Sequence, residues 1–187
     1  MTAALIIGDV QVGIVETLFP GAAAVLPPLA AVLPVARRAG TPVIYVRAAL
    51  RPDQAEVPAR NANITWMHTR GDVFQESSPL TAIHPDIAPL PAEPVLPKRR
   101  GSAFVGTDLE TILRARGIDE IALAGVATSG VVLHTLIDAT DRDYAVTVLR
   151  DCCADPEADM HDFLLDRVFP GRGAAVLDSA EWGAALT

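Results

Sequence analysis

Short apolar, β-branched runs recur along the chain with longer stretches of helical period between them, and this alternation constrains the fold more than any other feature. A strand buried on both faces reads as a continuous apolar run. Covering both faces of a parallel sheet then requires a helix in each crossover. The runs at 4–8, 42–46, 93–96, 120–125, 145–149 and 174–177 are the expected strands. The expected helices are 22–39, 107–116, 130–142 and 156–168, the second opened by Thr107 and closed by Gly117. The pattern predicts an α/β fold, a three-layer α/β/α sandwich around a six-stranded, mainly parallel sheet. Right-handed crossovers bring the C-terminal ends of the strands to one edge, where such sheets bind ligands.

Composition narrows the partners. The 187 residues are the size of one domain, half of them are apolar and only 20% are charged, so a core can form without a disulfide framework. A formal charge of −8 excludes a general nucleic-acid or anionic-membrane surface and leaves small molecules as the expected partners. The first apolar run stops at Asp9 without the basic flank of a signal peptide, and no uninterrupted apolar stretch reads as a membrane span. The expected location is the cytoplasm. Cys152 and Cys153 are adjacent, a spacing that strains a mutual bridge, so they read as reduced thiols. His68, His84, His134 and His161 show no metal-binding spacing, and neither a metal nor a cofactor is expected.

Residues 47–91 break the alternation. Proline and polar residues surround an isolated Trp66 and Phe74, the composition of a lid, a binding loop or a partner contact.

Three segments fall just after strands one, three and four: Gly8-Asp9-Val10-Gln11, then Pro97-Lys98-Arg99-Arg100-Gly101-Ser102-Ala103-Phe104, and Gly125-Val126-Ala127-Thr128-Ser129-Gly130-Val131-Val132. In that order and placement they resemble the isochorismatase-like hydrolases, a superfamily that includes nicotinamidases, carbamoyl-amide hydrolases and isochorismatases. The resemblance runs nearly the whole length and implies a Rossmann-like sandwich and a homo-oligomer, dimer or tetramer. It implies that Asp9 is the acid after strand one and Lys98 its partner. In amide-hydrolysing relatives the third segment reads Gly-x-x-Thr-x-x-Cys-Val, and counting from Gly125 puts the cysteine slot at Val131. Isochorismatases carry glycine there and hydrolyse a vinyl ether by acid assistance. The resemblance also implies a cis peptide between Val126 and Ala127 and an oxyanion-type site from the Ala127 and Val131 amides. Gln11, Phe104, Thr128, Ser129 and Trp66 become the expected substrate-binding residues.

Taken singly, these residues have plainer readings. An aspartate after a strand is often a turn residue, and a serine opening a helix is often its cap. Arg99 and Arg100 are expected in solvent, His134 as a packed or surface residue, and both cysteines as structural thiols. Three functions are open: a thiol-independent hydrolase using Asp9 and Lys98, possible without any nucleophile at Val131; a catalytically silent binding member; and an amide hydrolase whose nucleophile is Cys152, Cys153 or Ser129.

Overall fold

The structure, a computed structural model, describes residues 3–186. Strands β1 (Ala3–Gly8), β2 (Val43–Ala48), β3 (Val95–Lys98), β4 (Glu120–Val126), β5 (Ala145–Ala154) and β6 (Ala175–Leu177) form one sheet in the order β3-β2-β1-β4-β5-β6. Every pairing is parallel. The period-two rule explains why β1 is apolar throughout: Leu5 and Ile7 enter the core on one face, Ala4 and Ile6 the core on the other.

Helices α1 (Leu26–Arg38), α2 (Ala62–His68), α3 (Leu109–Ala115), α4 (Leu133–Thr140), α5 (Ala158–Phe163), the short α6 (Phe169–Gly171) and α7 (Ser179–Ala185) supply the outer layers. Leu29, Val32 and Leu33 of α1 share the first core with Trp182 of α7. Leu113 of α3, Leu136 of α4 and Phe169 of α6 share the second. The expected helix over 22–39 is instead a 3₁₀ turn, Pro20–Val25, running into α1, with Pro27 and Pro28 in the first α-turn where their missing N–H groups cost nothing. Contrary to the expectation, the segment Pro20–Arg38 is long and apolar enough, by length and composition alone, to cross a membrane. Its stripe of Leu26, Leu29, Val32, Leu33 and Ala36 is buried against the sheet, as a core helix requires.

Two strand boundaries matter for the site. β3 starts later than expected and ends on Lys98, fixing that side chain at the strand terminus. β5 continues past Leu149 to Ala154, because Arg150 pairs with Asp166 at the surface and Asp151 accepts from both Ser179 N and Ser179 Oγ. A register shift accommodates the extra residues, since Leu123 faces Val148 whereas Gly125 faces Cys153. The strand order reverses between β1 and β4, so the crevice beyond their C-terminal ends is the topological switch point.

Candidate active site

Asp9 follows β1 directly and adopts a left-handed backbone conformation, φ +59°, which a non-glycine residue seldom takes. Its N–H donates to Val46 O at 2.9 Å, tying the turn to the end of β2. The carboxylate Oδ2 lies 2.8 Å from Lys98 Nζ, and the ammonium also donates to Arg100 O at 3.0 Å. Both side chains are nearly enclosed, with Asp9 6% and Lys98 3% exposed. Asp9 Oδ1 has no hydrogen-bond partner. Burial pushes the Asp9 carboxyl above its ordinary value, and the Lys98 charge and hydrogen bond oppose that rise without cancelling it.

Glycine contacts bring the other half of the site in. A Cβ on Gly125 would lie 2.5 Å from Gly8 O, so β1 and β4 touch backbone to backbone at their ends. A Cβ on Gly8 would meet Val131 Cγ2 at 2.6 Å, which places the isopropyl group of Val131 directly over Gly8. The Val126–Ala127 peptide between these elements is cis. The following turn, Thr128–Val132, contains Gly130 at φ −95° and ψ −108°, outside helical geometry. Three bonds hold this turn: Ser129 N donates to Asp155 Oδ2 at 2.7 Å, Thr128 Oγ1 pairs with His161 Nδ1 at 2.8 Å, and His134 Nδ1 donates to Gly130 O at 2.8 Å.

A cavity of about 770 Å³ opens over this crevice. Of the residues expected from sequence, Asp9, Lys98, Val126, Ala127, Ser129, Val131 and Trp66 line it together. Trp66 comes from α2 and meets Phe74 with ring centroids 6.0 Å apart, so the 47–91 connection does form a wall of the cavity.

Three expected substrate-binding residues lie elsewhere. Gln11 is fully buried, accepting from Ala48 N at 2.7 Å and donating to Ala48 O and Thr81 O at 3.1 Å each. Its amide is consumed by backbone and acts as a clamp between β1, β2 and the 79–81 turn. Phe104 packs in the second core against Tyr144, 5.8 Å between centroids. Thr128 is buried beneath the turn, its hydroxyl turned to His161. Ser102 and Ala103 anchor the 98–104 segment on α4 through Asp138 and Thr135, at 2.7 and 2.9 Å.

The cavity is also lined by Arg70, Asp155 and Glu157, which the sequence reading passed over, and by Arg100 and His134, which it had not placed there. Arg99 pairs with Glu76 at 2.7 Å and Glu56 at 3.4 Å, so only Arg100 of the two arginines faces the cavity, and neither is simply solvated. Cys152 belongs to the first core and Cys153 to the second, and neither lines the cavity. Burial pushes both thiols up, Cys153 to about 12. Among the described residues no three His, Cys, Asp or Glu side chains are grouped as a metal site requires.

Known proteins are similar to this chain in sequence and in fold. The chain is 32% identical over 146 residues to a maleamate amidohydrolase of Pseudomonas putida, an alignment covering 76% of this chain and 66% of that protein. It thus spans less than two thirds of that relative's length. Among solved structures it is similar to an isochorismatase family protein from Burkholderia thailandensis, with a TM-score of 0.82, 30% identity and coverage of 99% and 95% of the two chains. It is also similar to an N-carbamoylsarcosine amidase from Thermoplasma acidophilum, with a TM-score of 0.80, 29% identity and coverage of 96% and 97%. With the isochorismatase domain matching residues 3–181, the chain belongs to the isochorismatase family.

Proposed function

We propose that this isochorismatase-family domain is a thiol-independent hydrolase of a small carboxylate-bearing molecule, with Asp9 as general acid and Lys98 as its electrostatic partner. The buried Asp9–Lys98 pair at the cavity floor carries the reading. Burial favours the protonated acid, and the ammonium stabilises the carboxylate left after proton transfer, so the pair serves both halves of an acid-catalysed step. Vinyl-ether hydrolysis is the concrete form. The Asp9 proton goes to the enol-ether carbon, water adds to the resulting oxocarbenium ion and gives its proton back to the Asp9 carboxylate, and the neutral hemiketal collapses to a ketone and an alcohol.

No covalent intermediate enters that sequence, which suits Val131 lining the cavity at the position that the motif resemblance makes the cysteine slot, with Cys152 and Cys153 outside the lining. An isopropyl group has no lone pair to offer. The Ala127 and Val131 amides supply the oxyanion-type donors at the opening of the α4 segment. We further propose that the protein acts in the cytoplasm as a homo-oligomer. A chromogenic test uses 2-(4-nitrophenoxy)acrylate, whose hydrolysis releases nitrophenolate: wild type turns it over, Asp9→Asn does not, and equal turnover by the two would refute the assignment.

A second reading rests on the relatives named as amidohydrolases and on Ser129, a hydroxyl that lines the cavity. It takes Ser129 as the nucleophile on an amide. Loss of ammonia release from maleamate in Ser129→Ala, with no acrylate turnover in wild type, would favour it. Neither reaction, with ligand binding that survives Asp9→Asn, would identify a silent binding member.

A further inference from the structure

The charges lining the cavity are sorted by sign along the sheet. Arg70 follows α2 in the β2–β3 connection, and Arg100 stands two residues beyond the end of β3. Asp155 follows β5 directly, and Glu157 stands two residues further on. In the order β3-β2-β1-β4-β5-β6 the guanidinium groups therefore come from one side of the β1/β4 switch point and the carboxylates from the other. The cavity spans both, with Asp9 and its unpartnered, buried Oδ1 between them.

None of the four outer charges makes a salt bridge among the described residues. Arg70 lies over the Trp66 ring at 4.8 Å, and Arg100 Nη1 donates to Arg99 O. Among the described residues, Asp155 accepts only backbone N–H groups, from Ser129 and Glu157. Opposite charges on a shared cavity that do not pair with each other remain available to a ligand that carries both signs.

We propose that the cavity selects a zwitterion, an amino-carboxylate whose anionic end faces Arg70 and Arg100 and whose ammonium end faces Asp155 and Glu157. This names the substrate class within the reading given above and rests on that reading for the location of the site. The ammonium end is the new element, since a simple carboxylate would leave the charges of Asp155 and Glu157 without a counter-charge. Trp66 and Phe74 favour a planar, apolar spacer between the two charges.

The test uses inert probes of one shape, so that it is independent of turnover: 4-(aminomethyl)benzoate carries both charges, 4-methylbenzoate only the anion, and 4-methylbenzylamine only the cation. Calorimetry at low ionic strength should show the zwitterion binding at least about fivefold tighter than either single ion, the effect of one additional partly exposed charge pair. Arg100→Gln and Arg70→Gln should weaken the zwitterion and the anion but not the cation. Glu157→Gln should weaken the zwitterion and the cation but not the anion, and Asp155→Asn should do the same while keeping an acceptor for Ser129 N. Equal binding of zwitterion and anion, indifference to Glu157→Gln and Asp155→Asn together, or no binding by any probe would overturn the proposal. Failure of the acid-catalysis reading would instead show as unchanged turnover in Asp9→Asn, with this probe preference intact.

Discussion

Replacing Lys98 by methionine tests how the buried pair is held together, because the new side chain fills a similar volume without the ammonium. Asp9 is then left 6% exposed with neither oxygen paired to a cation. The fold can keep it charged and unsolvated, which costs about 3–5 kcal/mol when one partner of a buried pair is removed. Otherwise it can keep it protonated. Relative to an unfolded carboxyl titrating at 3.8, protonation costs about 1.4 kcal/mol per pH unit, hence about 4 kcal/mol at pH 7 and about 2 kcal/mol at pH 5. The cheaper route sets the loss.

The sign is fixed by proton counting. A carboxyl whose folded pKa is raised binds more protons folded than unfolded, so its unfavourable contribution is absent below the unfolded pKa and grows as pH rises toward the folded one. Because wild type, with its own raised Asp9, already carries part of this cost, urea unfolding of Lys98→Met should show a deficit against wild type of up to about 4 kcal/mol at pH 7, shrinking by about half at pH 5. Asp9→Asn should also destabilise at pH 7, because it strands the ammonium. The double variant Asp9→Asn/Lys98→Met should lose well under the sum of the two single losses. A Lys98→Met deficit below about 1 kcal/mol, or one equal at the two pH values, would refute the description of Asp9 as a desolvated carboxylate held by Lys98.

Three further outcomes follow from the geometry. Iodoacetamide at neutral pH should leave Cys152 and Cys153 unmodified in the folded protein and alkylate both in urea, read by mass, since both thiols are buried and pushed up. Gly8→Ala should cost about 1–3 kcal/mol in thermal or urea unfolding by driving a methyl into Val131, and Val131→Gly should recover most of that loss. Gln11→Ala should destabilise by about 2–3 kcal/mol, because Ala48 N and two carbonyls lose their buried partner, while the affinity for 4-methylbenzoate stays unchanged.

The layers of the fold were legible in the sequence because their signal is local. Each strand is an apolar run, and β1 shows why: both faces of Ala4 to Ile7 are buried, so no polar residue interrupts it. Legibility failed where tertiary partners decided the boundary. Arg150 and Asp151 look like the end of β5, yet Asp166 and Ser179 satisfy them and the strand runs on to Ala154. Helix α2 is only seven residues long and opens on an Asn61 cap, too short for its period to emerge from the 47–91 connection. Helix α7 did carry a readable sign, the Asp178 and Glu181 capping box, three residues apart.

The candidate site divides along the same line. Asp9, Lys98 and the Gly125–Val131 turn were legible because strand ends and close glycine contacts are written in short motifs. Gln11 and Phe104 share those motifs and yet serve the scaffold, which no spacing rule distinguishes: motif membership says that a residue is near the crevice, not which way it points. Arg70, Asp155 and Glu157 were hidden for the opposite reason, since they belong to no motif and reach the cavity only because α2 folds over it and β5 ends where it does. Asp155 became the residue just past a strand end only once β5 was known to reach Ala154. On the proposed reading, the residues assigned to the reaction are therefore the local ones, and those assigned to the ligand are set by the long connections.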